Sequence, residues 1–91
     1  MYIYNDKKHI VRKLDEKYII INMQSGNGHL LNNSASVFFD LIIQNNISDQ
    51  KIAELADKYQ VSTTQIYSDI QELINELIEK EIISVLSDEE V

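Results

Sequence analysis

Cysteine, proline and tryptophan are absent from the 91 residues, and glycine occurs only twice. Without cysteine there is no disulfide framework and no thiolate metal site. No apolar run approaches the roughly 20 residues that a membrane span needs. The N-terminal MYIYNDKKHIV lacks the charged-then-apolar order of a signal peptide. A soluble cytoplasmic protein is the expectation. A phosphate-cradling loop is also missing: GNG (26–28) is followed by an extended run, not a helix, and reads as a turn. His9 and His29 lie in strand-like stretches with no helical i, i+4 partner, so no metal site is expected. There is no nucleophile elbow. Glu72, Glu76 and Glu79 are spaced like a solvated helix surface. No catalytic residue, cofactor or enzymatic activity is expected. Repeats and low-complexity stretches are lacking too.

Basic residues are scarce in one part only. Residues 1–31 hold Lys7, Lys8, Arg12, Lys13 and Lys17 against three acids, whereas residues 32–91 hold three bases against twelve acids. The net charge is −7. Such a surface repels phosphate backbones and favours cationic ligands.

What is present suffices for one core. Hydrophobic residues make up 44% of the chain, too many for a disordered segment. Residues 1–86 read as one domain, and 87–91 (SDEEV) as an acidic tail. His9 to Leu14 alternates. DEK (15–17) is a turn. YIIIN (18–22) is a β-branched strand whose near-continuous apolar character suits partial cover on both faces. QSGNG (24–28) marks a hairpin turn, and HLL (29–31) a third strand. Short connections make these an antiparallel meander.

The remainder has helical spacing. Asn32 or Asn33 caps a helix reaching about Gln44. Ser48 caps a second, with Asp49 in its first turn and Ile52, Leu55, Ala56 and Tyr59 inward. Ser62 with Gln65 predicts a capping box for a third helix reaching about Lys80. IISVL (82–86) reads as a short strand or an apolar strap. The third helix carries two apolar stripes: Ile66, Ile70, Leu73 and Leu77, and beside them Tyr67, Ile74 and Ile78. One faces the core. The second covers a further side of the domain or walls a groove.

The fold class expected is α+β and winged-helix-like, a three-stranded antiparallel sheet packed on a three-helix bundle. The second and third helices spell a helix-turn-helix, so a DNA-binding transcriptional regulator is the alternative reading. Charge opposes it. A recognition helix brings Arg or Lys to the phosphates, but here Asp69, Glu72, Glu76, Glu79 and Glu81 face only Lys80.

The order of pieces resembles a family. Leu31-Asn32 stands at the strand-to-helix switch, and DLI (40–42) ends the first helix. IAELADKYQVS (52–62) and DIQELINELIEKEII (69–83) follow. The pattern of Asp69, Ile70, Leu73-Ile74, Leu77-Ile78 and Glu79-Lys80 is similar to the PqqD-like family, the recognition elements for RiPP (ribosomally made, modified) precursor peptides. The resemblance covers residues 10 to 86. Glu81 departs from it, because the family often has glycine there.

The resemblance implies a binding function. Such domains hold the leader segment of a ribosomally synthesised precursor and present it to a modifying enzyme or leader peptidase, as in lasso-peptide pathways. The leader adds as a strand on the third strand's edge, beside the third helix. Peptide-binding residues expected on this basis are Asn27, Gly28, His29, Leu30 and Leu31, with Tyr67, Gln71, Ile74, Asn75 and Ile78. A leader between the acidic helix and the basic strands is expected to meet opposite charges on its two sides. Neither nucleic acid nor membrane is an expected partner.

Overall fold

The computed structural model of the chain describes residues 1–85, so the expected tail at 87–91 lies outside the described residues. Eight elements follow in order: β1 (Tyr2–Tyr4), β2 (His9–Leu14), β3 (Lys17–Asn22), β4 (Gly28–Leu30), α1 (Asn33–Ile43), α2 (Asp49–Tyr59), α3 (Thr63–Glu79) and β5 (Ile83–Val85). The architecture is α+β, with three helices and two antiparallel sheets. One sheet is the expected meander in the order β2-β3-β4; the other pairs β1 with β5. Tyr2 lies opposite Val85 and Tyr4 opposite Ile83. The 82–86 stretch is thus a strand at Ile83–Val85, but its partner β1 was not expected. Its only signal is the three-residue Tyr-Ile-Tyr alternation, too short to stand out.

Side-chain alternation sorts the meander into two faces. Ile20 is fully buried, and Val11 and Tyr18 pack against the core from the same side. Ile19 and Ile21 occupy the other face and are only half-buried. Phe39 of α1 sits at the centre of the core, edge-on to Tyr18 (5.5 Å between centroids) and Tyr4 (6.5 Å). The Tyr18 hydroxyl donates to Asp40 at 2.6 Å, tying β3 to α1. Hydrogen bonding to that carboxylate, with some burial, pushes the phenol up to about 12. Among the described residues, no helix is long and apolar enough to cross a membrane. Nor does any group of three or more His, Asp or Glu side chains there form a metal site.

All three expected N-caps form. Asn32 accepts from the Ala35 amide, Ser48 from Lys51 and Ser62 from Gln65. The capping box at Ser62 is only half made, because the Gln65 side chain donates forward to Asp69 at 2.8 Å rather than back to the cap.

The helix ends are less ordinary. Each helix closes with the two reversed backbone bonds of a Schellman motif, and none has glycine at the left-handed position. Asn45, Gln60 and Glu81 hold φ of 53°, 57° and 61°. At α3, Ile82 N–H donates to Leu77 C=O (2.9 Å) and Glu81 N–H to Ile78 C=O (3.0 Å). Ile82 and Leu77 are both buried, which supplies the motif's apolar contact. The left-handed conformation costs a side-chain-bearing residue about 1–2 kcal/mol. Glu81→Gly is therefore expected to stabilise the domain by about 1 kcal/mol. In thermal melts that is a rise of about 4–8 °C for a domain of this size. The Lys8–Glu81 pair lost with it is long (3.9 Å) and solvated, so it offsets little. An unchanged or lower midpoint would show that Glu81 bears no backbone penalty.

Candidate functional site

β4 is an edge strand, paired on one side with β3 through Ile19–Leu30, Ile20–His29 and Ile21–Gly28. Flanking bonds fix which groups are free. Leu31 N–H donates to Tyr18 C=O (2.8 Å), and Asn22 N–H to Asn27 C=O (2.9 Å). Odd-numbered positions of this stretch therefore bond toward β3. By the alternation of an antiparallel ladder, Gly28 and Leu30 direct their N–H and C=O groups away from it. They form a short open edge. Leu30 is 60% exposed, with its side chain on the outer face of the sheet.

The strand stops where a hydroxyl enters the ladder. Tyr18 N–H would next meet Leu31 C=O; instead it donates to Ser36 Oγ at 3.0 Å, and that hydroxyl donates to Leu31 C=O at 3.3 Å. Ser36 is buried on the first turn of α1, and Asn32 caps that helix. One side chain thus joins β3, the end of β4 and the start of α1 without a loop. Ser36→Ala leaves a part-buried N–H and a buried C=O without their partner. The expected cost is about 2 kcal/mol, read from denaturant unfolding. A loss below about 0.5 kcal/mol would mean the ladder closes without the hydroxyl.

The helix beside this edge is α3. The His29 ring lies between Lys80 (Nζ to Nδ1, 3.0 Å) and Glu76 (Oε1 to Nε2, 3.4 Å), and Lys80 also donates to Glu76 at 3.0 Å. The imidazole, the ammonium and the carboxylate thus form one cluster that joins β4 to α3. Further along, Asp69, Glu72, Leu73 and Glu76 share a hollow of about 310 Å³ with Asn32, Ser34, Ala35 and Phe38. Its lining is mostly polar and carries three carboxylates, with Phe38 and Leu73 nearly buried beneath.

This geometry divides the expected residues. Asn27, Gly28, His29 and Leu30 lie along the edge, and Asn27 to His29 line a smaller hollow with Lys80. Leu31 is buried in the core, and its N–H and C=O are already bonded to Tyr18 and Ser36. On α3, the flank assigned from the second apolar stripe is corrected. At 100° per residue, Glu76, Asp69 and Lys80 fall on one side of the core stripe, and Tyr67, Gln71 and Ile78 on the other. Contacts of His29 place the first group beside β4. Tyr67 instead donates to Asp49 of α2, and Ile78 lies near β1 and β5. Asn75 accepts from Gln71 at 2.9 Å on the exposed surface. Ile74 is 4% exposed and belongs to the core with Leu73.

The basic strands are also misplaced in the sequence reading. Arg12 is opposite Ile19, which is opposite Leu30, so β2 is two strand spacings, about 10 Å, from β4. Asp69, Glu72, Leu73, Glu76 and Lys80 were missed as edge-facing residues. Their i, i+3, i+4, i+7, i+11 spacing marks one strip of α3, but periodicity gives no preference between the two flanks of a buried stripe.

Comparison with known families matches residues 8–83 to PqqD, described as coenzyme PQQ synthesis protein D. The comparison with curated proteins gave no match. Two solved structures share the fold. One is TbiB1 in complex with the TbiA(beta) leader peptide: TM-score 0.75, 16% identity, covering 94% of this chain and 99% of that one. The other is lasso peptide synthetase B1 complexed with the leader peptide: TM-score 0.79, 19% identity, covering 92% and 98%.

Proposed function

This chain belongs to the PqqD family, and from that premise we propose that it binds the leader segment of a ribosomally synthesised precursor peptide. It presents the precursor to a modifying enzyme or leader peptidase, in a lasso-peptide or related pathway. The observation that carries this reading is the open edge at Gly28 and Leu30, lying beside an uncovered flank of α3. Two proteins with the same fold are held with leader peptides, which supports it.

The leader adds antiparallel to β4, and backbone bonds to Gly28 and Leu30 supply affinity that does not depend on its side chains. Side chains on its helix-facing side enter the space along Asp69, Glu72, Leu73 and Glu76. The carboxylates favour a Lys or Arg there, and Phe38 and Leu73 offer only a small apolar contact beneath. The layout is winged-helix-like, but the α3 surface next to the sheet edge is acidic, which opposes DNA binding. The chain's part is to bind, and the chemistry belongs to its partner.

Stopped-flow titration of a labelled cognate leader tests this. Saturable binding is expected, with association slowed by salt more than dissociation is quickened, because solvated charges act on encounter. Absence of binding at low salt would remove the reading. An association rate flat across salt would leave the carboxylates as plain solvated surface.

A further inference from the structure

The meander has a second open edge, on β2, which among the described residues pairs only with β3. Leu14 and Lys17 close the two-residue turn, so Leu14, Arg12 and Ile10 bond toward β3. Val11 and Lys13 then direct their N–H and C=O groups outward. At His9 the edge is already closed, because the Tyr4 hydroxyl donates to its C=O at 2.7 Å. Beside the open part is a hollow of about 530 Å³, lined by Tyr4, Val11, Tyr18, Phe39 and Ile43 among others, with no carboxylate in its lining. Arg12 borders it, and Lys13 stands over the Tyr18 ring at 5.5 Å.

We propose that this β2 edge is a second strand-docking site, and that its occupant is an extended, acidic segment of a partner protein. Two features argue for that chemistry. An added strand repeats the alternation of its neighbour, with one side toward the helices and the other toward solvent. Its inward side chains meet the hollow over Phe39 and Ile43, so they are apolar. Outward ones meet Arg12 and Lys17, which share the outer face of β2 and β3, so they are acidic.

A second copy of this chain is a poor occupant. Antiparallel pairing of two β2 strands about their centre crowds Arg12 and Lys13 of both copies. Basic residues on an edge deter such self-pairing, and here they also select. The β4 edge lies beside Asp69, Glu72 and Glu76, the β2 edge beside Arg12 and Lys13. Opposite signs sort two extended segments to two edges of one sheet.

The test uses the full chain, labelled for amide NMR, and two short synthetic peptides: alternating Glu and Val, and the same with Lys for Glu. The Glu peptide is expected to shift Val11, Lys13, Phe39 and Ile43, and the Lys peptide to leave them unmoved. Arg12→Glu should weaken the Glu peptide about fivefold. Val11→Pro removes an outward N–H and no ladder bond but some core packing, so with circular dichroism confirming a folded domain the peptide is expected to be lost. Leu30→Pro should leave Glu-peptide binding intact. Shifts centred on β4 and α3, no shifts at all, or indifference to both β2 variants would overturn the proposal. So would β2 shifts that follow protein concentration alone, which would assign the edge to a second copy. None of these readouts involves a leader, so the β4 assignment stands or falls separately.

Discussion

Replacing Ile74 by Asp is expected to unfold the domain as completely as replacing Leu73 does. Both side chains are under one-tenth exposed, and both belong to the single core cluster. A carboxylate there has no cationic partner, and burying it costs several kcal/mol, on the scale of the domain's whole stability of about 5–13 kcal/mol. The charge escapes only by protonation or by opening the structure. Ile78→Asp and Tyr67→Asp are the contrasting pair, because those side chains are 39% and 45% exposed. Each should retain the helical circular-dichroism signal and a cooperative melt. Tyr67→Asp loses slightly more, since it ends the bond to Asp49 and sets two carboxylates near each other. A folded Ile74→Asp variant that fails to bind leader would restore Ile74 to the groove.

Leu30→Pro is expected to weaken leader binding strongly while leaving the fold intact. The Leu30 amide points away from β3, so the ring removes no ladder bond, and proline is tolerated on an edge strand with that orientation. Its side chain is mostly solvated, so little packing is lost. For an incoming strand the consequences are larger. One donor disappears, and the ring occupies the space where the neighbouring chain must approach. The expected loss is on the order of 100-fold, about 2.7 kcal/mol. Leu30→Ala, which keeps the amide, should bind nearly as the parent does. Equal losses in both variants would point to the Leu30 side chain rather than the edge.

The parts of this fold that sequence makes legible are those with a local chemical cause. Asn32, Ser48 and Ser62 announce their helices because a side-chain oxygen must meet a free amide within three residues. The helix ends were legible only as breaks, since Asn45, Gln60 and Glu81 take the conformation that glycine usually reveals. Glu81 stood out as a departure from a family glycine, and the backbone kept the glycine's geometry. β1 escaped because three residues carry too little pattern, and its partner is some 80 positions away. The open edge was legible on β4, where capping ends the strand. The helical half was not. Both flanks of the α3 core stripe satisfy the same period, and Tyr67 and Ile78 drew attention as apolar residues while the β4 side is carboxylate-rich. Contacts distant in sequence decide between them: His29 with Glu76 and Lys80 on one flank, and Tyr67 with Asp49 on the other.

Amide hydrogen exchange at Gly28, His29 and Leu30, with and without saturating leader, tests strand addition at β4 most directly. In the free protein the His29 amide is held by Ile20 across the ladder, while those of Gly28 and Leu30 face solvent. Leader binding should slow exchange at Gly28 and Leu30 by about tenfold or more and leave His29 almost unchanged. Unaltered exchange at Gly28 and Leu30 under saturation, or new protection at Val11 and Lys13 in their place, would contradict it.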